Sequence, residues 1–295
     1  MTEKTPPVCC YEGSDYQQSF WEEGGRAYED AAEEFALRRL LPGSGHRLLE
    51  LGAGAGRNTP RYRGFDQITL VDYSLTQLQQ ARERLGESNR YRYVAADIYH
   101  LPFIPNLFDT ATMIRTLHHM KDCQLALQQV RTCLKPQAVF ILEYANKLNL
   151  KSIARYAIGK QTWNPYTLDP VEFAELNFDF HPAAIRTWLH ETGFQLERQL
   201  TVSHFRMNLL KQLFPAKVLA VLDSIVSLTG DWWQLTPSVF TRSIAKGGDT
   251  SESSGFFRCP SCGDTNLADT PPVLVCTACG NSYPKTGGIY DFRAK

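Results

Sequence analysis

The chain has 295 residues, is 43% hydrophobic and carries 31 basic and 31 acidic side chains, so its formal net charge is zero. Its length allows one large core and a small second module, and its balanced charge predicts no general attraction to nucleic acid or to an anionic membrane. Because the N-terminus lacks a signal-peptide pattern and no apolar run approaches ~18 residues, we expect a cytoplasmic protein with no membrane partner, unless a local charged patch provides one.

Residues 15–41 form the first predicted element, an acidic region whose apolar side chains recur at helical spacing. This region is interpreted either as a lid over the functional site or as a packing stripe. Its aromatic side chains are therefore candidate substrate contacts: Tyr16, Trp21 and Tyr28.

From residue 47 to about residue 143, short apolar strands alternate with helical stretches, which predicts right-handed βαβ units and a parallel sheet. Residues 146–180 and 205–236 interrupt this rhythm and are interpreted as substrate-side insertions. A helix starting at the His181-Pro182 step and two final strands complete the first domain, residues 1–245.

A buried strand, Leu48–Leu51, runs directly into three alternating glycines, Gly52, Gly54 and Gly56. Glycine permits a tight turn here and lets a ligand approach the backbone, with helix N–H groups facing an anionic group. A dinucleotide fingerprint would require glycine where Arg57 stands, so the spacing disfavours NAD and FAD.

Two carboxylates follow the next two strands. Asp72 ends its strand about 20 positions after the glycines, where a carboxylate accepts hydrogen bonds from both ribose hydroxyls. Asp97, followed by Ile98, ends the next strand and is placed to accept from an adenine amino group. A further strand opens at Phe108-Asp109 and ends near Arg115.

These motifs, in this order, resemble the class I S-adenosylmethionine-dependent methyltransferases, especially the type 11 subgroup with the ubiquinone/menaquinone-type and tRNA wobble-uridine enzymes. The resemblance implies an α/β fold with a Rossmann-like, seven-stranded, mostly parallel sheet and helices on both faces. The sequence departs from this family pattern between Gly56 and Gly64, a short stretch interrupted by Pro60, so we expect the first helix to be stunted. The cofactor-binding residues that the resemblance implies are Glu50, Gly52, Ala53, Gly54, Gly56, Arg57, Asp72, Tyr73, Asp97, Ile98 and Arg115.

Methyl transfer mainly requires orientation of the acceptor and exclusion of water, and sometimes removal of a proton. His118 and His119 follow the fourth strand, so either one is a candidate general base; the alternative is that the pair only shapes the turn. No Asn or Asp followed by two prolines and an aromatic stands here, which disfavours adenine amines and glutamine amides as acceptors. Oxygen, carbon, sulfur and more nucleophilic nitrogen atoms remain open.

The first insertion supplies further candidate substrate contacts, Trp163, Tyr166 and His181, which equally well pack the insertion onto the sheet. The stretch from Lys147 to Lys160 also contains Lys151 and Arg155 but no acid. These basic side chains either bind phosphate from one face of a helix or form a solvated helix face. They are the main support in the sequence for an RNA substrate.

Two Cys-x-x-Cys pairs lie in residues 256–295, beyond a polar linker at 246–255. Their spacing predicts a closed, structural Zn²⁺ site with four thiolate ligands: Cys259, Cys262, Cys276 and Cys279. The tail, residues 282–293, resembles the zinc-ribbon activator subunit of tRNA, rRNA and release-factor methyltransferases. We expect this ribbon to dock in cis on an exposed edge or an apolar strip of the first domain's sheet.

The predicted function is methyl transfer from S-adenosylmethionine to a small molecule, with the zinc ribbon as a fused stabiliser. Two alternatives stay open: a tRNA or rRNA methyltransferase, and a cofactor-binding scaffold without turnover.

Overall fold

The computed structural model describes residues 6–14, 17–247 and 255–293, so Tyr16 and most of the predicted linker lie outside the described residues. Seven strands form the central sheet in the order β3-β2-β1-β4-β5-β9-β8. They are β1 (Gly45–Leu51), β2 (Phe65–Asp72), β3 (Tyr91–Ala95), β4 (Phe108–Met113), β5 (Leu134–Ala145), β8 (Phe194–Val202) and β9 (Ser238–Ala245).

Pairing within this sheet is parallel except at β9, which runs antiparallel to both β5 and β8. The central strands are buried on both faces, as their continuous apolar sequences require. The prediction of a seven-stranded, mostly parallel Rossmann-like sheet is therefore confirmed.

Helices flank both faces of the sheet: α1 (Ala27–Leu40), α2 (Leu75–Leu85), α3 (Cys123–Cys133), α4 (Leu150–Ala157), α5 (Pro182–Glu191), α6 (Asn208–Leu213) and α7 (Ala216–Val226). The chain between β1 and β2 forms only a 3₁₀ turn, Thr59–Arg61, so the first helix is stunted as predicted. The first insertion adds α4 and a small hairpin of β6 (Val171–Ala174) and β7 (Asn177–Asp179). None of the described helices is long and apolar enough to cross a bilayer.

Four further strands belong to the cysteine module: β10 (Leu267–Thr270), β11 (Val273–Cys276), β12 (Ser282–Thr286) and β13 (Ile289–Asp291). Strand β13 pairs in parallel with β3, with Ile289 opposite Tyr93 and Asp291 opposite Ala95. The module thus covers the edge strand of the central sheet and extends it to eleven strands. This is the kind of edge at which the sequence predicts the ribbon to dock.

The N-terminal region begins with a π-helical turn, Gln17–Glu22, and continues into α1, which packs along α7. Tyr28 joins these helices: its buried hydroxyl donates to Asp223 Oδ1 at 2.9 Å and accepts from Phe205 N at 2.9 Å. Tyr28 therefore lies in the core, as the packing-stripe alternative expects, and its buried ring and both hydroxyl bonds anchor α1.

Candidate active site

A cavity opens at the carboxyl ends of the parallel strands, the edge where doubly wound sheets bind ligands. The glycine turn, the end of β2, the turn after β3 and the turn after β4 contribute most of its walls. Its lining includes these predicted residues: Trp21, Gly52, Ala53, Gly54, Arg57, Asp72, Tyr73, Ile98, Arg115 and His119.

Backbone geometry explains the glycines of this turn. Gly52 has a φ of 65°, and a Cβ there would lie 2.0 Å from Thr116 Oγ1. Gly54 also has a positive φ, and its N–H donates to Asp72 Oδ2 at 2.8 Å. Ser74 N–H donates to the other oxygen, Oδ1, at 2.9 Å. Burial raises the pKa of Asp72, while the two N–H groups oppose that shift.

A charged cluster lies beside the glycine turn. Glu33 is fully buried and accepts from Arg57 Nη2 at 2.7 Å and from Arg115 Nε at 2.5 Å. Burial alone would raise the pKa of Glu33, yet the two guanidinium charges lower it to about 2. Trp21 covers both cations, with its ring centroid 3.5 Å from Arg57 Cζ and 4.9 Å from Arg115 Cζ.

Asp30 completes this cluster by pairing with Arg57 and Arg61. Three guanidinium groups thus face two carboxylates, so the cluster keeps an excess of positive charge at one end of the cavity. Such an environment suits an anionic group of a ligand.

The two histidines differ in position. His119 lines the cavity, its Nδ1 lies 3.1 Å from Leu176 O, and its Nε2 lies 3.2 Å from the Tyr11 hydroxyl. Because a carbonyl only accepts, Nδ1 carries the proton and Nε2 of the neutral ring accepts from Tyr11. Burial lowers the pKa of His119, and it lowers that of His118 further. His118 is not part of the cavity lining.

Three predicted cofactor residues also lie outside that lining. Glu50 is buried on the other side of the turn and accepts from Thr59 Oγ1 at 2.6 Å. Burial raises its pKa to about 7. Asp97 caps a short 3₁₀ turn by accepting from Tyr99 N at 2.9 Å. Gly56 instead permits close packing, because a Cβ there would lie 2.9 Å from Leu85 Cδ1. In this structure these three residues support the turns around the cavity.

The N-terminal segment 6–14 contributes to the wall of the cavity, which the sequence did not indicate because the segment has no periodic pattern. Val8 forms a bridge with Met120, and Cys9 and Tyr11 line the cavity. Glu12 caps α2 by accepting from Leu75 N at 3.0 Å and from Thr76 N at 3.1 Å.

A second, larger cleft of about 1590 Å³ lies between the first insertion and α6. Gln17 and Trp21 line the first cavity, whereas Gly24 and Arg26 line the cleft, so the short segment 17–26 separates the two spaces. Trp163, a candidate substrate contact, lines the cleft.

The other two substrate candidates of the insertion lie elsewhere. Tyr166 is 55% exposed and contacts the ring of Tyr156. His181 caps α5, its Nδ1 accepting from Ala183 N at 3.1 Å. This cap explains why the helix starts at the His-Pro step, and it gives His181 a structural role.

The four cysteine sulfurs of the module converge, all within 4.8 Å of one another. Cys259 Sγ lies 3.7 Å from Cys279 Sγ, and Cys262 Sγ lies 3.5 Å from Cys276 Sγ. Sulfur atoms at the corners of a tetrahedron with ~2.3 Å metal bonds are separated by about this distance. The cluster therefore fits a four-coordinate thiolate site.

Comparison with known proteins agrees with this geometry. A family model described as "Methyltransferase domain" matches residues 49–142. O-methyltransferase cnsE of Penicillium expansum is 33% identical over 109 residues, covering 35% of this chain and 40% of that protein. The ubiquinone/menaquinone biosynthesis C-methyltransferase UbiE of Saccharophagus degradans is 31% identical, covering 40% of this chain and 50% of that protein. The chain thus spans half or less of the length of these two relatives.

The 2-phytyl-1,4-naphtoquinone methyltransferase of Nostoc punctiforme is 29% identical over 44% of this chain and 73% of that protein. Among solved structures, an S-adenosylmethionine-dependent methyltransferase from Mesorhizobium loti has a TM-score of 0.55 at 23% identity, covering 74% of this chain and 99% of that one. The complex between the Haloferax volcanii Trm112 methyltransferase activator and the putative methyltransferase has a TM-score of 0.56 at 15% identity, covering 79% and 96%. These structures share the fold of this chain, which is that of a class I methyltransferase.

Proposed function

We propose that this chain, built on a class I methyltransferase domain, transfers a methyl group from S-adenosylmethionine to a small-molecule acceptor. The observation that carries the proposal is the cavity at the switch between β1 and β4, where the glycine turn faces the strand-terminal Asp72. Bound S-adenosylmethionine would supply an electrophilic methyl group on a sulfonium centre.

The chain's own residues fit the parts of that cofactor. Asp72 would accept the ribose hydroxyls, because its carboxylate is held by two backbone N–H groups at the rim of the cavity. The excess positive charge around Arg57 and Arg115 would hold the methionine carboxylate. Ile98, which lines the cavity, would contact the adenine.

The acceptor would occupy the second cleft and reach the cofactor past the segment 17–26, with Trp21 and Trp163 on its two sides. Relatives named for quinone and O-methylation support a small molecule. His119 is the better placed of the two candidate bases, since it lines the cavity. For Nε2 to take a proton from an acceptor, Tyr11 must first give up its hydrogen bond.

The cysteine module would hold Zn²⁺ as a structural ion. All four ligands come from the protein, so the metal would keep no open position for chemistry, and its role would be to fold the module. The pairing of β13 with β3 supports a role of the module in stabilising the domain in cis.

RNA is the second candidate acceptor. It is favoured by three basic side chains in the wall of the cleft, Lys151, Arg155 and Lys160. The test is transfer of labelled methyl groups from S-adenosylmethionine to fractions of a cell extract. We expect S-adenosylhomocysteine to form with organic-soluble fractions and to be unaffected by RNase. Loss of the signal after RNase would assign an RNA acceptor. If no fraction gave product, the remaining hypothesis would be a cofactor-binding scaffold without turnover.

A further inference from the structure

Apolar side chains cover much of the outer surface of the second insertion. On α7, Val218, Val221, Leu222 and Ile225 recur at helical spacing and are each at least 45% exposed. The opposite stripe of α7 is buried. Exposing an apolar helix stripe to water is unfavourable, so such a stripe indicates a surface that another molecule covers.

Further exposed apolar side chains precede and follow α7 in the chain. On the N-terminal side they include Met207, Leu209 and Leu213 of the α6 region, each at least 60% exposed. On the C-terminal side they end in two adjacent tryptophans, Trp232 and Trp233, with exposures of 79% and 57%. Residues 207–233 are called the apolar face below. Tryptophan is characteristic of surfaces that meet the interface of a bilayer.

Cations border this face. Lys151 and Arg155 of α4 line the same cleft as Met207 and Leu209, so the basic helix and the apolar face meet there. Lys160 lines that cleft too, and Lys217 stands at the start of α7. These four side chains are exposed, and among the described residues none of them forms an ion pair.

Acids are few on the same segments. Residues 147–163 contain no acid, and residues 203–237 contain only Asp223 and Asp231. Asp223 is buried and bonded to Tyr28, while Asp231 accepts from Gln199 N at 2.6 Å. In the cleft, the buried Glu29 is paired with Lys211. The zero net charge of the chain therefore conceals a local excess of positive charge.

We propose that the apolar face, bordered by these cations, docks on the surface of a membrane that contains anionic phospholipids. Apolar helices with flanking tryptophan and lysine lie in the interface of a bilayer, and each nearby base adds attraction to anionic headgroups. Pairing of this face with the same face of a second copy would bring the four cations of each copy near those of the other. Repulsion between them disfavours self-association. Docking would leave the mouth of the second cleft at the bilayer, and it does not depend on which molecule accepts a methyl group.

The test is co-flotation of the full chain with vesicles of equal parts phosphatidylcholine and phosphatidylglycerol, compared with vesicles of phosphatidylcholine alone. We expect binding to the anionic vesicles, weakened by salt. Trp232→Ala/Trp233→Ala and Lys151→Glu/Arg155→Glu should each lower partitioning about tenfold or more. Lys246→Glu is the matched control, since Lys246 is exposed at the opposite end of the sheet and should leave binding unchanged.

Thermal unfolding of each variant checks that the fold is kept, which the exposure of all four residues predicts. Three results would overturn the proposal. They are absence of vesicle binding by the wild-type chain, a dimer in solution that the tryptophan variant converts to a monomer, and tRNA binding that the charge variant alone abolishes while neither variant alters partitioning.

Discussion

Phe257 joins the cysteine module to the methyltransferase domain. Its ring stacks on Phe103 at a centroid distance of 6.0 Å and contacts Phe292 of the module at 4.9 Å. On either side, Ile104 N donates to Phe256 O at 3.3 Å and Arg258 N donates to Pro102 O at 2.9 Å. Phe257→Ala would keep these backbone bonds and remove the ring between the two bodies.

The expected cost follows from burial. Phe257 is 9% exposed, and Phe103 beneath it is fully buried. Removing a buried phenylalanine costs about 3–5 kcal/mol, of which the lower end applies where the site partly collapses. For a domain of this size, 1 kcal/mol lowers Tm by about 2–4 °C, so we expect a decrease of about 6–20 °C.

Differential scanning calorimetry measures this decrease, with Phe173→Ala as the matched control because Phe173 is 61% exposed. The control should melt with the wild type. The reasoning is refuted if Phe257→Ala also melts with the wild type. A main transition that stays in place while a separate small transition falls would likewise refute it, since the module would then unfold without affecting the domain.

Other predictions concern stability and catalysis. Truncation after Ala245 should expose the edge of β3 and lower Tm. Chelation of the metal should have the same effect if zinc holds the module folded. A truncated domain with unchanged Tm and solubility would show that the module is independent. Burial raises the pKa of Glu50 to about 7, so the native state holds a proton that the unfolded chain releases near its ordinary pKa of 4.5, and this stabilisation is lost as pH rises between these values. In urea unfolding, the free energy of unfolding of Glu50→Gln relative to the wild type should accordingly increase by about 3 kcal/mol from acid to mildly alkaline pH. A difference that stays constant with pH would contradict the raised pKa of Glu50. If His119 is the general base, His119→Ala should lose about 10²-fold or more in kcat with cofactor affinity kept, while His118→Ala keeps activity; turnover retained in both variants would assign the pair to structure.

The sequence predicted the order and nature of the central strands well, because buried parallel strands read as continuous apolar runs. The meeting of the glycine turn with Asp72 was predictable for a local reason, because a strand end next to glycine constrains the backbone strongly. The cysteine cluster was equally predictable, since two Cys-x-x-Cys pairs at this spacing favour the convergence of all four sulfurs.

Residues whose roles depend on distant partners could not be assigned in the same way. Glu33 had no signal, because its neighbours Arg57 and Arg115 are 24 and 82 positions away. Tyr28 looked like a lid residue until α7 supplied Asp223 as its partner. The segment 6–14 has no periodicity, so only tertiary contacts place it in the wall of the cavity.

The central claim is that the cavity beside Asp72 binds S-adenosylmethionine. Calorimetric titration of the full chain with S-adenosylmethionine and S-adenosylhomocysteine tests it, with Asp72→Ala as the variant and Asp109→Ala as the control. Asp109 also accepts two backbone N–H bonds, from His46 and Arg47, but it lies at the opposite end of the sheet. We predict saturable binding that Asp72→Ala weakens by about 1.5–3 kcal/mol and Asp109→Ala leaves unchanged. Absence of binding, or equal affinity of the Asp72 variant and the wild type, would contradict the account.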